Sequence, residues 1–431
     1  MTNSTGRVPG AAGRGVVRFS IVALAVAVAA GCAPSTAPTP PATPAAAAPE
    51  LSADTVRRDL DVVAQRLVTT AERLPPTAYP VRTGPDGAWM TTGPTDWTSG
   101  FFPGSLWQMY ALTRDPVWQA RAETRQAGIE PAKTDDSSHD IGFQILDTFG
   151  QDADLTGDAR ARDVVLTAAS TLAARYNPTV GAFRSWDARD DTTRFQTIMD
   201  NMMNLELMFW ASQHGGDPRW AEMAATHART TGRDFFRPDG GSWHVVNYDQ
   251  RTGAVISKYT AQGYADDSTW SRGEAWAIHG FTTSYRYTHD PQFLATARTA
   301  ADYFLAHLPA DQVPYWDFSL PTTTGQPRDS SAAAVAASGL VELSRLEPDP
   351  ARSRRDLDGA RGLLAGLSSP AYLSTDSSQA VLLHGTQNAP DGNADTGLVF
   401  GDYYFVEALR RYGGMASRRV DRRVQEAAAR R

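Results

Sequence analysis

The chain has 431 residues, with 41 Lys and Arg against 48 Asp and Glu and a formal net charge of −7. Such an acidic balance disfavours nucleic-acid binding, which needs a basic surface. An anionic substrate would need a local cationic pocket rather than long-range attraction. The single cysteine, Cys32, excludes disulfides within the chain and zinc sites built on thiolates.

The first residues have the pattern of an export signal. Three arginines precede the apolar run 19–30, which is too short to span a bilayer. The run leads into Ala-Ala-Gly-Cys32, which resembles a bacterial lipobox, in which the cysteine becomes the lipidated first residue of the mature protein. We therefore predict a lipoprotein signal peptide over residues 1–31 and an exported, membrane-anchored protein that faces outside. An ordinary cleaved signal and a secreted protein remain the alternative.

Composition divides the rest of the chain into three parts. Residues 32–50 are rich in Pro, Ala and Thr and nearly uncharged, which predicts a semi-extended linker. Residues 51–416 are long enough for one large domain or two ordinary ones, and we predict a single catalytic domain there. The Arg-rich tail 417–431 is predicted to be disordered, with contact to anionic lipid as the alternative.

A short phrase built on Asp, usually followed by Pro, recurs along the predicted domain and precedes amphipathic, Ala-rich runs. It occurs at 114–118, 157–160, 216–220, 289–293 and 348–351. Because Asp caps a helix and Pro suits its first turn, each phrase predicts a helix start. Recurrence along the chain indicates repeated helical hairpins.

More apolar helices are predicted between the capped ones. They cover 105–112, 140–149, 197–212, 270–287, 330–345 and 402–411. Alternation of amphipathic and apolar helices predicts two concentric layers. The expected fold is therefore all-α, an (α/α)6 barrel of six inner and six outer helices, with an open solenoid as the fallback.

One predicted inner helix, residues 196–213, is apolar nearly all the way round, which is typical of a buried helix. Asp200 nevertheless lies near its start, with Asn204 one turn later on the same face. A buried carboxylate must be paired, hydrogen-bonded or protonated, so Asp200 is a candidate catalytic residue. The alternative is a helix-start aspartate favoured by the helix dipole.

The loops that lead into the inner helices contain the other candidates for a site. Asp140 follows His139 at the start of another apolar helix, and two such acids suit acid–base chemistry on a sugar, although helix capping would also explain them. Arg272 is the best candidate to hold a carboxylate through two hydrogen bonds, with an outer-layer salt bridge as the alternative. Three tryptophans could stack on sugar rings or fill gaps between helices: Trp97, Trp186 and Trp276.

No metal and no cofactor are predicted. His139 and His244 lack the paired spacing and the carboxylate cluster that metal sites show. The sequence also lacks a nucleophile elbow, a P-loop and a dinucleotide fingerprint.

Six phrases in the order WTSGFFPG, HDIGF, DNMMNLELMFWAS, QGYADDSTWSRGEAWA, PRDSSAAAVAASGLVEL and GDYYFVEAL resemble glycoside hydrolase family 88, the unsaturated glucuronyl hydrolases. They span about residues 90–411. The resemblance implies an (α/α)6 barrel. It also implies release of the unsaturated uronic acid from the non-reducing end of oligosaccharides that polysaccharide lyases leave behind.

The resemblance also implies a chemistry that resembles hydration of an enol ether. Asp200 would give a proton to C4 of the C4=C5 bond and then help water add at C5, after which the hemiketal opens. Asp140 would be the nearby carboxylate that raises the pKa of Asp200, so that the two titrate as a unit.

The remaining site residues follow from the same resemblance. The uronate subsite is lined by His139, His244, Gln262 and Arg272, with Trp97, Trp186 and Trp276 as walls. The loop 384–388 aligns with a region that recognises sulfate in some relatives, but it lacks lysine here. Two rival functions are an unsaturated rhamnogalacturonyl hydrolase and a non-catalytic, lipid-anchored glycan-binding protein.

Overall fold

The computed structural model describes residues 51–186, 194–375 and 378–429, with side chains described as far as residue 414. The predicted signal peptide, the lipobox at Cys32 and the linker lie outside the described residues. Within the described residues, no helix is both long and apolar enough to cross a membrane.

Helices make up most of the described chain. In chain order they are α1 (Ala53–Arg73), α2 (Phe101–Thr113), α3 (Pro116–Gln126), α4 (Ile141–Ile145), α5 (Gln151–Thr156), α6 (Ala159–Ala173), α7 (Asn201–Gln213), α8 (Arg219–Asp234), α9 (Ser271–Thr288), α10 (Pro291–Ala306), α11 (Ser330–Leu346), α12 (Pro350–Leu367) and α13 (Val399–Ala429). A π-helical turn, Leu146–Gly150, joins α4 to α5 into one longer element, and a short 3-10 helix, Glu130–Thr134, precedes them.

Packing between the helices confirms the predicted double ring. The inner helices follow one another as α2, α4–α5, α7, α9, α11 and α13, and α13 packs on α2 to close the ring. The outer helices α3, α6, α8, α10 and α12 each return along the outside next to an inner helix. The sixth outer position is taken by α1, the first helix in the sequence, which packs on α13, the last inner helix.

The predicted caps of the outer helices are confirmed. Asp115, Asp158, Asp290 and Asp349 each accept a hydrogen bond from a backbone N–H two residues further on. These bonds satisfy N–H groups that a helix start leaves without partners.

Two expected boundaries differ from the structure. Residues 197 and 198 were expected to open an inner helix, but they lie in a strand and α7 begins at Asn201. The backbone of α13 continues as helix to Ala429, across the tail that was predicted to be disordered. Ala, Arg, Gln and Glu dominate that tail, and all four favour helix.

Three small antiparallel sheets lie between the helices. The first pairs β1 (Tyr79–Thr83) with β2 (Trp89–Thr92), and the second pairs β3 (Tyr176–Asn177) with β4 (Ala182–Phe183). The third has the order β5 (Arg194–Ile198), β6 (Val245–Asp249) and β7 (Val255–Tyr259). Its β5–β6 pair leads directly into the candidate site.

The inner helices approach one another closely because small residues line their contacts. Nearly every residue of α11 is buried, and many of them are alanine or serine. In α9, a Cβ on Gly280 would lie 2.5 Å from the Cβ of Met202 on α7, closer than two carbon atoms can approach. The inner ring is therefore tightly packed at these contacts.

Candidate active site

Pairing between β5 and β6 brings Asp200 next to His244. Ile198 lies opposite Val245 in the ladder, and the N–H of Met199 donates to the carbonyl of His244 at 3.0 Å. Asp200 follows at the end of β5 and opens α7. His244 Nε2 therefore lies 3.6 Å from Asp200 Oδ2, an ion-pair contact that is longer than a hydrogen bond.

Hydrogen bonds fix which nitrogen of His244 carries a proton. The N–H of Ala261 donates to His244 Nδ1 at 3.2 Å, so Nδ1 is an acceptor. The neutral ring then has its hydrogen on Nε2, the atom that faces Asp200. The imidazole is buried and lies over Trp270, with ring centres 4.4 Å apart.

This environment favours the ionised form of Asp200. Burial opposes ionisation, but contact with His244 outweighs it, helped by His139 and Arg272, and the pKa of Asp200 is lowered. Asp200 Oδ2 and His244 Nε2 are both buried and make no hydrogen bond within the described chain. In the ligand-free protein, Asp200 is therefore a carboxylate that can accept a proton.

Asp140 occupies the corresponding position before α4. Its Oδ2 accepts a hydrogen bond from Ser138 Oγ at 2.7 Å, and its Oδ1 lies 3.2 Å from His139 Nε2. Its side chain is only 16% exposed, close to the 17% of Asp200. The two acids thus have similar burial but different imidazole partners.

The tautomer of His139 is opposite to that of His244. His139 Nδ1 lies 2.9 Å from the carbonyl oxygen of Ser185, which can only accept, so Nδ1 carries a hydrogen. In the neutral ring, Nε2 is then an unprotonated acceptor that faces Asp140. His139 is almost fully buried, so the structure places it against Asp140 rather than on an open pocket wall.

The environment of Asp140 shifts its pKa in the direction opposite to that of Asp200. Burial raises the pKa of Asp140, and the negative charges of Asp200 and Asp96 raise it further, against the opposing effects of His139 and Ser138. From the family resemblance, Asp140 is expected to raise the pKa of Asp200. In the structure the coupling exists, but the acid with the raised pKa is Asp140.

Arg272 does not present a free guanidinium. Its Nη1 forms a 2.8 Å ion pair with Asp329, and both partners are almost completely buried. Its Nη2 donates to Gln262 Oε1 at 3.0 Å and to the carbonyl of Gln387 at 2.6 Å. A salt bridge, the alternative for Arg272, is therefore present, but it joins the starts of two inner helices rather than lying in the outer layer. Both Nη atoms already donate to acceptors within the protein.

The loop 384–388 is held at the same end of the barrel. Thr386 N–H donates to Asp329 Oδ1 at 3.3 Å, and Arg272 Nη1 donates to the carbonyl of Thr386. Asp329 also caps α11 through Ser331 and Ala332. One buried carboxylate thus joins a helix start, the Arg272 side chain and this loop.

The three candidate tryptophans have different environments. Trp97 is half-buried and contacts Phe101, Phe143 and Phe400, and Trp186 is half-buried and pairs through its backbone with Ser138. Both remain candidates for sugar contact. Trp276 is fully buried, so its expected role as an exposed wall is wrong, because an inner-helix residue of α9 points into the core.

Three residues that hold the site were missed by the sequence analysis. Ser138 and Ser185 bind Asp140 and His139, and Asp329 neutralises Arg272. Ser138 lies only two residues before Asp140 in the sequence, but no local pattern points to the other two. Within the described residues, no group of three or more His, Cys, Asp or Glu side chains is arranged to hold a metal ion.

A ring of paired helices with two coupled carboxylates and two imidazoles at one end has the arrangement of an (α/α)6 glycoside hydrolase. The model of Glycosyl Hydrolase Family 88 matches residues 77–343, and the chain belongs to this family.

Known relatives agree with this assignment. The unsaturated glucuronyl hydrolase of Formosa agariphila is 44% identical over 322 residues, which cover 73% of this chain and 80% of the relative. A crystal structure of an unsaturated glucuronyl hydrolase specific for heparin is 36% identical, covers 85% of this chain and 99% of its own, and superposes with a TM-score of 0.81. A crystal structure of an unsaturated glucuronyl hydrolase variant from Streptococcus agalactiae, complexed with dGlcA-GalNAc6S, is 28% identical. It covers 84% of this chain and 92% of its own, with a TM-score of 0.72.

Proposed function

We propose that the protein is an unsaturated glucuronyl hydrolase, which releases the 4,5-unsaturated uronic acid from the non-reducing end of lyase-generated oligosaccharides. The observation that carries this proposal is the coupled pair Asp140 and Asp200, two buried acids at the starts of neighbouring inner helices. Family membership and the relatives' names support the same activity.

The proposed reaction adds water across the C4=C5 double bond. C4 receives a proton, C5 receives the oxygen of water, and the resulting hemiketal opens to free the neighbouring sugar. Asp200 is suited to take the proton from water, because His244 favours its ionised form. To act first as the acid it must gain a proton, and the substrate carboxylate beside it favours this change by raising its pKa.

Neutral donors are the best candidates to bind the uronate. Because Gln262 Oε1 already accepts from Arg272, the amide NH2 of Gln262 is the end that remains to donate to a ligand. His244 Nε2 is a second donor without a hydrogen-bond partner among the described residues. Arg272 then acts indirectly, by orienting Gln262 and holding the loop 384–388.

Substitution of Asp200 by Asn tests the catalytic assignment. The variant should keep the fold, because Asn preserves size, and it should lose nearly all decay of ultraviolet absorbance from an unsaturated disaccharide. Asp54→Asn, which changes an exposed acid on α1, is the matched control and should keep normal turnover. Near-normal turnover by Asp200→Asn would refute the proposed mechanism.

A panel of lyase digests tests the substrate class. Hyaluronan, chondroitin, heparin, xanthan and pectin digests present different sugars next to the same unsaturated uronate. Release from one or more of the glucuronate-containing digests supports the proposal. Activity confined to rhamnogalacturonan fragments would instead assign the rival activity, and no release from any digest would favour a glycan-binding protein.

We also propose that the protein is exported and anchored through a lipid on Cys32. The support is the sequence alone, because the sole cysteine falls at the end of a lipobox-like segment. Metabolic labelling with a fatty acid should mark the wild-type protein and not Cys32→Ser. An unlabelled wild-type protein recovered from the medium would support the secreted alternative.

A further inference from the structure

The candidate site has an excess of negative charge before any substrate binds. Asp140, Asp200 and Asp96 interact through their charges. Among the described residues, the arginine whose charge acts on Asp200 is Arg272, and that guanidinium already pairs with Asp329. A uronate ligand would therefore bring a further negative charge into a partly desolvated pocket, which is costly unless a positive charge or a proton accompanies it.

The ring of His139 has a nitrogen that can accept such a proton. His139 donates Nδ1–H to Ser185, which leaves the Nε2 lone pair directed toward Asp140 Oδ1 at 3.2 Å. The contact is not aligned as a hydrogen bond, but turning a carboxyl group about its last torsion costs little. An added proton can then reside on the Asp140 carboxyl or on the His139 ring.

The second pair at the site is not prepared in the same way. His244 Nδ1 accepts from Ala261, so its Nε2 already carries a hydrogen and directs it toward Asp200. A second proton on this ring would break the bond from Ala261. The two imidazoles therefore divide the site into a side that can accept a proton and a side that already donates one.

We propose that substrate binding is coupled to the uptake of one proton, and that the Asp140–His139 pair takes it up. This inference rests on the proposed function, since it assumes an anionic uronate as ligand. Asp140 and His139 lie in direct contact, and Ser138, Asp96 and Asp200 face the pair on the acid side. On the ring side, Arg175 donates to the same Ser185 carbonyl. His227 also lies on this side, but burial lowers its pKa to about 3, so it is neutral in the pH range of interest.

Under this scheme, every proton that the enzyme gains or loses during the reaction is accounted for. The proton taken up on binding is available for transfer to C4, directly or through Asp200. The water that adds its oxygen to C5 returns a proton to the enzyme. When the acidic product leaves, the pair gives the proton back to solvent.

Calorimetry in two buffers of different ionisation enthalpy measures this uptake. The Asp200→Asn variant is titrated with an unsaturated disaccharide from about pH 5 to about pH 8, because its expected loss of turnover keeps the ligand intact during the measurement. We expect uptake that approaches about one proton per site within this range. The methyl ester of the same disaccharide, which lacks the charge, should bind without uptake in the same variant.

Further substitutions identify the groups that take up the proton. Adding Asp140→Asn to the Asp200→Asn protein should abolish the uptake. Adding His139→Gln should move its midpoint to lower pH, because a lone aspartate gives up a proton more readily than an imidazole–carboxylate pair. His227→Gln is the matched control: it removes another buried histidine, which accepts from Phe183 N–H at 2.9 Å, and should leave the uptake unchanged.

The outcomes separate this inference from the proposed function. Binding of the disaccharide without proton uptake would overturn the inference and leave the activity intact. Uptake that survives Asp140→Asn, or that is unmoved by His139→Gln, would show that another group takes the proton. Absence of binding would overturn both proposals.

Discussion

Asn204 Oδ1 accepts a hydrogen bond from the backbone N–H of Phe143 at 3.0 Å and thereby joins α7 to α4. Asp140 directly precedes α4, and Asp200 directly precedes α7. Asn204 Nδ2 also lies 3.4 Å from the carbonyl oxygen of Asp200, to which it donates. One buried amide therefore sets the spacing between the two acids.

Removal of this amide should affect both folding and catalysis. Asn204→Ala leaves the buried N–H of Phe143 without a partner, which should lower the free energy of unfolding by about 1–3 kcal/mol. Displacement of the acids should lower kcat by about tenfold or more, since small misplacements of reacting groups are costly. Denaturant unfolding and steady-state kinetics measure the two effects.

A glycine opposite the amide provides a second test of the same contact. A Cβ on Gly142 would lie 2.4 Å from Asn204 Oδ1, so Gly142→Ala should push the two helices apart and lower kcat in the same way. Gly93→Ala is the matched control, because nothing lies within 4 Å of its Cβ position. Full activity of Gly142→Ala would show that the spacing does not matter.

The ion pair of Arg272 should be essential for stability. Asp329→Asn leaves a buried guanidinium without a counter-charge, and loss of one partner of such a pair costs roughly 3–5 kcal/mol. Since the same residues hold the loop 384–388 and Gln262, KM should also rise. Arg57→Ala, which breaks an exposed pair, is the control and should change stability by less than about 0.5 kcal/mol. Equal unfolding midpoints for the two variants would contradict this role.

His244 should set the basic side of the pH profile, because Asp200 must carry a proton to act first as the acid. His244 lowers the pKa of Asp200 against the effect of burial, so its removal should raise that pKa. In His244→Phe, which keeps a ring over Trp270 but no N–H, the basic limb of kcat/KM should therefore move to higher pH. His244→Gln retains a donor and should show a smaller displacement. An unmoved limb in His244→Phe would mean that a different group controls it.

Local patterns in the sequence were sufficient to predict most of the fold. Asp115, Asp158, Asp290 and Asp349 were predicted as helix caps, and each bond is present. A cap depends only on the next few residues, which explains the success. The strand β5 was missed because its pairing with β6 joins residues about fifty positions apart, and an apolar run fits helix and strand equally.

The two acids of the site were predicted from the sequence, but the form in which each is ionised or protonated was not. Asp140 and Asp200 stand out as acids at the starts of apolar helices. The state of each depends on which histidine nitrogen faces it, and this is set by Ser185 and Ala261, distant in the sequence. The partner of Arg272 and the burial of Trp276 likewise follow from packing between helices rather than from local residues.

Asp402 should make the stability of the barrel depend on pH. This buried residue of α13 accepts backbone hydrogen bonds from Val381 and Leu382, each at 2.9 Å. Burial raises its pKa to about 7, whereas an aspartate in the unfolded chain titrates near 3.9. Between these values the folded protein binds more protons than the unfolded chain, so the contribution of Asp402 to the free energy of unfolding falls as pH rises.

Substitution by Asn should remove this dependence. The lost slope should reach at most about 1.4 kcal/mol per pH unit between about pH 4 and about pH 7. Denaturant unfolding of Asp402→Asn and wild type across that range measures it. Asp54→Asn changes an exposed acid and should unfold in parallel with wild type. If Asp402→Asn also runs parallel to wild type, Asp402 is ionised throughout the range, and its two backbone hydrogen bonds outweigh the cost of burial.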